Sequence, residues 1–298
     1  MKLRAFAPFA MAAAGGLVLA GCSSSEADSD TAASGEAAGG DLTFAVFNGW
    51  DESLATSLLW ENVLEAQGYN VELEYADPAV VFQGVADGDY DVVTDVWLPL
   101  THASYIEEFG DDMEELGAWF DSAALTVAVN PDAPVDSLAD LAEHADEFGN
   151  RIVGIEPGAG LTATVQDAVI PTYGLEDMEF LTSSTPAMLS ELDTATSNGE
   201  NIIVTLWEPH WAYGAYDLKN LEDPEGTLGE AENIVTYGRS GLGEDFPEVA
   251  EWMGAFTMDA DHLYDLENAL NGADTADYAD IVSEWVAANQ EWVDSLTA

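Results

Sequence analysis

Two segments constrain the fold more than anything else in the chain: Asp91-Val-Val-Thr-Asp-Val-Trp-Leu-Pro-Leu-Thr-His102 and, far downstream, Asn201-Ile-Ile-Val-Thr-Leu-Trp-Glu-Pro-His-Trp211. Each begins as a short β-branched run, the signature of a buried strand. Each then places a Trp, one residue and a Pro. Proline has no N–H and a fixed φ, so it ends the ladder and turns the chain outward. Trp97 and Trp207 are thereby left at the carboxyl ends of two strands, where open α/β sheets bind ligands. Two such strands in separate halves predict one site assembled from two lobes.

The remaining pattern alternates strand and helix. Strands are expected over Leu42–Phe47 and Val71–Tyr75, with helices over about Ser53–Gln67 and Ala79–Ala86. This βαβα reading predicts an α/β protein whose sheets are mostly parallel and flanked by helices. Ala123–Val129 reads as a strand leading through Pro131 and Pro134 into a second lobe, and Ile234–Tyr237 as the return. Residues 41–126 and 234–298 are therefore expected to form one lobe and residues 127–233 the other. Asp136-Ser137-x-x-Asp140 carries capping chemistry, and Thr185-Pro186 fits the N-cap and first position of a helix. The last expected helix, Thr275–Leu296, carries Tyr278, Ile281, Trp285, Ala288 and Trp292 at helical spacing, as core packing requires.

The first 40 or so residues read differently. Lys2 and Arg4, an apolar run and Leu19-Ala20-Gly21-Cys22 have the anatomy of a signal peptide over residues 1–21. Residues 22–40, rich in Ser, Ala, Gly and acids, read as a flexible tether. Cys22 is the only cysteine, so no internal disulfide can form. Its place directly after Leu-Ala-Gly resembles a lipoprotein box, which implies lipidation of Cys22 and an extracytoplasmic, membrane-anchored protein.

Charge excludes one class of partner. There are 58 acidic residues against five basic ones, and only Arg151, Lys219 and Arg239 remain after the leader. Nucleic acid requires phosphate-neutralising cations that this chain lacks. Self-repulsion on this scale destabilises a compact state unless counter-ions screen it, so the sequence predicts a protein adapted to high salt.

Trp50, Trp97 and Trp207 all fall just beyond expected strands. One indole in such a place is equally explained by capping a core, but three at equivalent strand ends favour an aromatic cage. Such a cage suits a quaternary ammonium, which has no N–H and is held only against ring faces. At roughly 2 kcal/mol per desolvated contact, three rings supply about 6 kcal/mol, against about 8 for micromolar binding. Gly158-Ala159-Gly160 before a helix start can add unpaired backbone N–H groups for a carboxylate or phosphate. His102, five residues after Trp97, fits a further imidazole donor and equally a surface residue with a local partner. The glycines fit neither a dinucleotide fingerprint nor a Walker loop, and no cofactor or metal site is expected.

These motifs carry a resemblance. Gly49-Trp50-Asp51-Glu52, Trp97-Leu-Pro-x-Thr-His102, Gly154-Ile-Glu-Pro-Gly-Ala-Gly160 and Trp207-x-Pro-His-Trp211 followed by Tyr216-Asp-Leu-Lys219 resemble the glycine betaine-binding proteins of osmoprotectant ABC importers. The similarity spans residues 42–298. It implies a two-lobed periplasmic-binding-protein fold of type II-like character that closes on its ligand. It further implies a trimethylammonium cage of Trp50, Trp97 and Trp207, and a ligand carboxylate held by His102 and the amides of Gly160 and Leu161. Glycine betaine or proline betaine is the implied ligand, with separate permease and ATPase subunits as partners. Choline and carnitine are the rival amines, and a carbohydrate receptor stacking sugars on Trp is the alternative outside that class. An enzyme is not expected. A hydrolase would need Glu156 and Glu208 as a carboxylate pair, and both already belong to the binding motifs. Trp211, Tyr213 and Tyr216 read as packing rather than ligand contacts.

Overall fold

In a computed structural model of the protein, residues 39–298 are described. The signal peptide, Cys22 and nearly all of the tether lie outside them. Strand β1 (Gly40–Phe47) lies between two parallel neighbours, β2 (Tyr69–Ala76) and β3 (Val92–Leu98). Val92 to Trp97 are buried without a break, as expected for a strand covered on both faces. Helix α1 (Asp51–Ala66) starts at Trp50 with Asp51 and Glu52 in its first turn, where acids suit the helix dipole. Helix α2 (Pro78–Asp87) opens on Pro and closes on Gly88, whose φ of 77° is the left-handed stop that glycine allows.

The chain crosses the sheet on one long strand. β4 (Met113–Val129) pairs antiparallel with β9 (Glu232–Arg239) as far as Ala123, then with β7 (Ile203–Glu208) from Ala124 onward. β9 also pairs antiparallel with β3. Beyond the crossing, β5 (Arg151–Val153) runs parallel to β6 (Glu179–Leu181) and to β7, while β8 (Lys219–Asn220) pairs with β4. The resulting order is β2-β1-β3-β9-β4-β7-β5-β6. The parallel arrangement expected from the sequence holds for β1–β2–β3 and for β5–β6–β7. Every antiparallel ladder involves β4 or β9, because these two strands carry the chain across and back.

Three local expectations need correction. The crossing strand begins at Met113 rather than Ala123. Its first part slips register against β9 after Glu115, Ala118 and Phe120, which erases the alternation that marks a strand. Gly117 within it abuts a helix: a Cβ there would lie 2.5 Å from the Gly254 carbonyl oxygen. Second, Ser184 rather than Thr185 is the cap of the helix Thr185–Asn198, its Oγ accepting from the Ala187 amide at 3.3 Å. Third, the terminal helix breaks between Ala288 and Gln290. Asn289 turns its side chain back onto the Trp285 carbonyl at 3.0 Å, a local bond that competes with the helix. The aromatic stripe is core packing: Trp285 is buried, and Trp292 stacks on His262 at 4.6 Å. The expected Ser137–Asp140 capping box is present.

Candidate functional site

Both Trp-x-Pro turns close on cis prolines, Pro99 after Leu98 and Pro209 after Glu208. They deliver Trp97 from β3 and Trp207 from β7, while Trp50 comes from the start of α1. All three are buried and line one cavity. His102, Gly160 and Leu161 line it too, so the structure brings together all six residues singled out in the sequence. Glu52, Thr101, Leu125, Ile155 and Ala159 complete the wall.

The rings are held by their edges. Trp50 Nε1 donates to Glu156, which also accepts from the Thr185 amide at 3.0 Å and its hydroxyl at 3.1 Å. Trp97 Nε1 donates to Asp95 at 2.8 Å. Anchored indole N–H groups leave the faces free to serve the cavity. The Trp50 and Trp207 centroids are 6.3 Å apart with planes at 59°, and Trp50 stacks nearly parallel on His102 at 5.6 Å. Trp207 meets His210 edge-on at 4.7 Å, and its own Nε1 is buried without a protein acceptor.

His102 is a donor by construction. Its Nδ1 accepts from the Trp97 amide at 2.9 Å, which assigns the proton to Nε2. Burial pulls its pKa down to about 3, so the ring is neutral at ordinary pH. Nε2 is buried and has no protein partner, leaving an N–H available at the cavity wall. The turn carrying His102 is fixed by Glu232 at the start of β9. Glu232 accepts from the Leu100 amide at 2.6 Å, the Thr101 amide at 2.9 Å and the Thr101 hydroxyl.

Opposite lies the glycine turn. Gly160 opens the helix Gly160–Thr164, so its amide and that of Leu161 fall in the first turn, where helical partners are lacking. A Cβ on Gly160 would lie 2.0 Å from the Thr101 carbonyl oxygen. Only glycine permits this approach of the second half of the molecule to the His102 turn. Tyr105 reinforces it, its hydroxyl donating to the Gly158 carbonyl at 2.9 Å.

Residues 40–288 match the family described as the substrate-binding domain of ABC-type glycine betaine transport systems. The chain belongs to that family. The glycine betaine/carnitine transport binding protein GbuC of Listeria monocytogenes is 36% identical over 170 residues, covering 55% of each chain. The match thus spans about half the length of that curated relative. Lactococcal OpuAC in its closed conformation with glycine betaine superposes with a TM-score of 0.80 at 30% identity, over 87% of this chain and 99% of that one. The glycine/betaine/L-proline-binding protein ProX of Borrelia burgdorferi gives a TM-score of 0.81 at 28% identity, over 87% and 97%. These likenesses establish the two-lobed, periplasmic-binding-protein-like α/β fold.

Within this substrate-binding domain the remaining candidates take supporting places. Trp211 does not line the cavity; its Nε1 donates to Asp51 at 2.8 Å. Tyr213 shares a hydrogen bond with Thr126 at 2.7 Å, and Tyr216 donates to Asp193 at 3.3 Å. His210 accepts the Ala212 amide on Nδ1 at 3.0 Å and sets Nε2 3.4 Å from Asp51; burial pulls its pKa to about 3. Burial pushes Asp51 the other way, to about 6. Glu156 serves Trp50 and Thr185, and Glu208 accepts from Asn220 at 2.7 Å, so the two carboxylates have separate partners. Among the described residues no group of His, Cys, Asp and Glu is placed to hold a metal ion. Sequence reasoning missed Glu232, Glu52 and Asp95. For Asp95 a signal existed, since a carboxylate inside Val-Val-Thr-Asp-Val-Trp faces burial on either side of the strand. Glu52 and Glu232 were two acids among 58.

Proposed function

We propose that the protein captures glycine betaine or proline betaine outside the cytoplasm and delivers it to an ABC importer whose permease and ATPase are separate subunits. The observation that carries this is the convergence of three buried indoles and one unpaired imidazole N–H in a single small cavity. Trp50, Trp97 and Trp207 surround the trimethylammonium group. His102 Nε2 and the amides of Gly160 and Leu161 hold the carboxylate, the charge-assisted bonds supplying what three rings alone leave short. Betaine has about eight non-hydrogen atoms, for which a ceiling near 12 kcal/mol leaves micromolar affinity within reach.

In this reading residues 41–126 with 234–298 form one lobe and residues 127–233 the other. Trp50, Trp97 and His102 belong to the first, and Trp207, Gly160 and Leu161 to the second. Ligand bridging them stabilises the closed form by contacts the open form lacks. Removal of residues 1–21 leaves Cys22 as the lipidated residue, with the tether to position 40 joining it to the folded domain. Among the described residues no helix is long and apolar enough to cross a membrane. Choline lacks the carboxylate and leaves the His102 and amide donors unpaired, which disfavours it.

Calorimetry in molar salt with glycine betaine, proline betaine, carnitine and choline tests the assignment. Glycine betaine or proline betaine is expected to bind best, and Trp97→Ala and Trp207→Ala each to abolish detectable binding while the melting transition survives. A preference for choline, or near-native affinity in either variant, would overturn it.

A further inference from the structure

Among the described residues Glu52 is the one acidic side chain in the cavity wall, and the betaine-binding reading gives it no task. It is 1% exposed, and its Oε2 has no partner. Asp95, on β3, is fully buried and spends one oxygen on the Trp97 indole while Oδ2 is unpaired. Glu267, on the helix Ala260–Leu270, is 1% exposed, and Asp51 is the neighbour of Glu52 on α1. Glu52, Asp95 and Glu267 thus lie buried on three elements and influence one another's ionisation, with Asp51 beside Glu52 on α1. Among the described residues no cation joins them: Arg151 pairs with Glu191, Lys219 with Asp136, and Arg239 with Asp91 and Asp245. His102 across the cavity and His210 beside Asp51 are neutral, and Tyr278 on the helix Tyr278–Ala288 carries no charge at neutral pH.

Buried carboxyls without a counter-charge keep their protons. Burial first, then Asp95 and Glu267, hold Glu52 well above the usual carboxylate range, with its own backbone N–H pulling weakly the other way. Burial does the same for Asp95 and Glu267. A quaternary ammonium changes this balance. It cannot donate a hydrogen bond and has no proton to lose, so its charge is answered only by ring faces or by an anion. In the wall of this cavity the available anion is Glu52.

We propose that Glu52 exchanges its proton for the ligand's cation, so that capture of a quaternary ammonium by this site releases a proton to solvent. The step is a simple ionisation: the O–H bond of the Glu52 carboxyl breaks, its electron pair stays on the carboxylate beside the ammonium, and the proton passes to buffer. Glu52 is then a specificity-determining residue, adding a charge that a neutral ligand of the same shape does not recruit. The inference rests on the betaine-binding reading above.

The test is calorimetry of glycine betaine binding to the whole protein near pH 7, in molar salt, in phosphate and in Tris. These buffers differ widely in ionisation enthalpy, so the difference in observed heat reads the number of protons released. A fraction of a proton up to one is expected, with affinity tightening as pH rises by up to tenfold per unit. Glu52→Gln is expected to bind with equal heats in the two buffers and with an affinity flat between about pH 6 and 8. The pH dependence of affinity in the unaltered protein serves even if the Glu52 variant fails to fold. Betaine binding with buffer-independent heat, an affinity of the unaltered protein that is flat with pH, or an unchanged release in Glu52→Gln would overturn the inference alone. Absence of betaine binding in the unaltered protein would overturn it together with the functional reading.

Discussion

His102 carries its tautomer in its contacts: a backbone amide fills Nδ1, and the neutral ring presents Nε2–H to the cavity. Because the fold excludes the charged form, protonation works against folding. The ordinary histidine value near 6.5 falls to about 3, so the neutral ring's stability is fully present above 6.5 and lost as pH falls toward 3. Replacing His102 with Gln removes that loss. In ligand-free denaturant titrations the variant is expected to gain on the wild type by on the order of 1.4 kcal/mol per pH unit below about 6.5. A difference constant with pH would contradict a buried neutral ring. At this scale the rare residues were legible, because nine tryptophans and four histidines leave few places to look. The acids that orient them, Glu156 on Trp50, Asp95 on Trp97 and Glu232 on the His102 turn, gain their meaning only from partners that the fold supplies.

Gly160 acts through the element it opens. The start of its helix sits against the backbone of the His102 turn, at a distance no side chain tolerates. Gly160→Ala is therefore expected to leave the melting temperature within a few degrees of wild type but weaken betaine binding at least tenfold, since the added methyl wedges the two turns apart. Small-angle scattering with saturating ligand checks the cause, the variant staying more extended than wild type. A compact, tight-binding variant would remove the close approach from the mechanism. Element boundaries were legible where hydrophobic period and caps agree, as in α1, α2 and β3. They were lost in Met113–Ala123, where bulges break the alternation, and at Asn289, where one side chain interrupts an otherwise continuous helical pattern. The alternation of strands and helices foretold the parallel ladders; the antiparallel ones follow from the crossing by β4 and β9, which local pattern does not encode.

Across the whole molecule the dominant quantity is charge. The formal net charge is −53, and each of the three cations among the described residues is already bound to an acid. Screening shortens the range of the remaining repulsion from about 10 Å at 0.1 M salt to about 3 Å at 1 M. The melting temperature is expected to rise markedly between dilute buffer and molar sodium chloride, and a flat profile would remove the inference of salt adaptation. The two-lobed form and the convergence of the three indoles were legible together, since a Trp-x-Pro strand end in each half implies a cleft between halves. The closeness of the lobes' approach was not, because it depends on a missing Cβ meeting a carbonyl. The proposed cage rests on charge rather than shape, and one ligand separates the two. In 3,3-dimethylbutanoate a carbon replaces the betaine nitrogen, keeping the outline and the carboxylate while removing the positive charge. Calorimetry in molar salt is expected to find it at least a hundredfold weaker than glycine betaine, as about 2 kcal/mol per ring demands; equal affinity for the two would contradict a cation held by Trp50, Trp97 and Trp207.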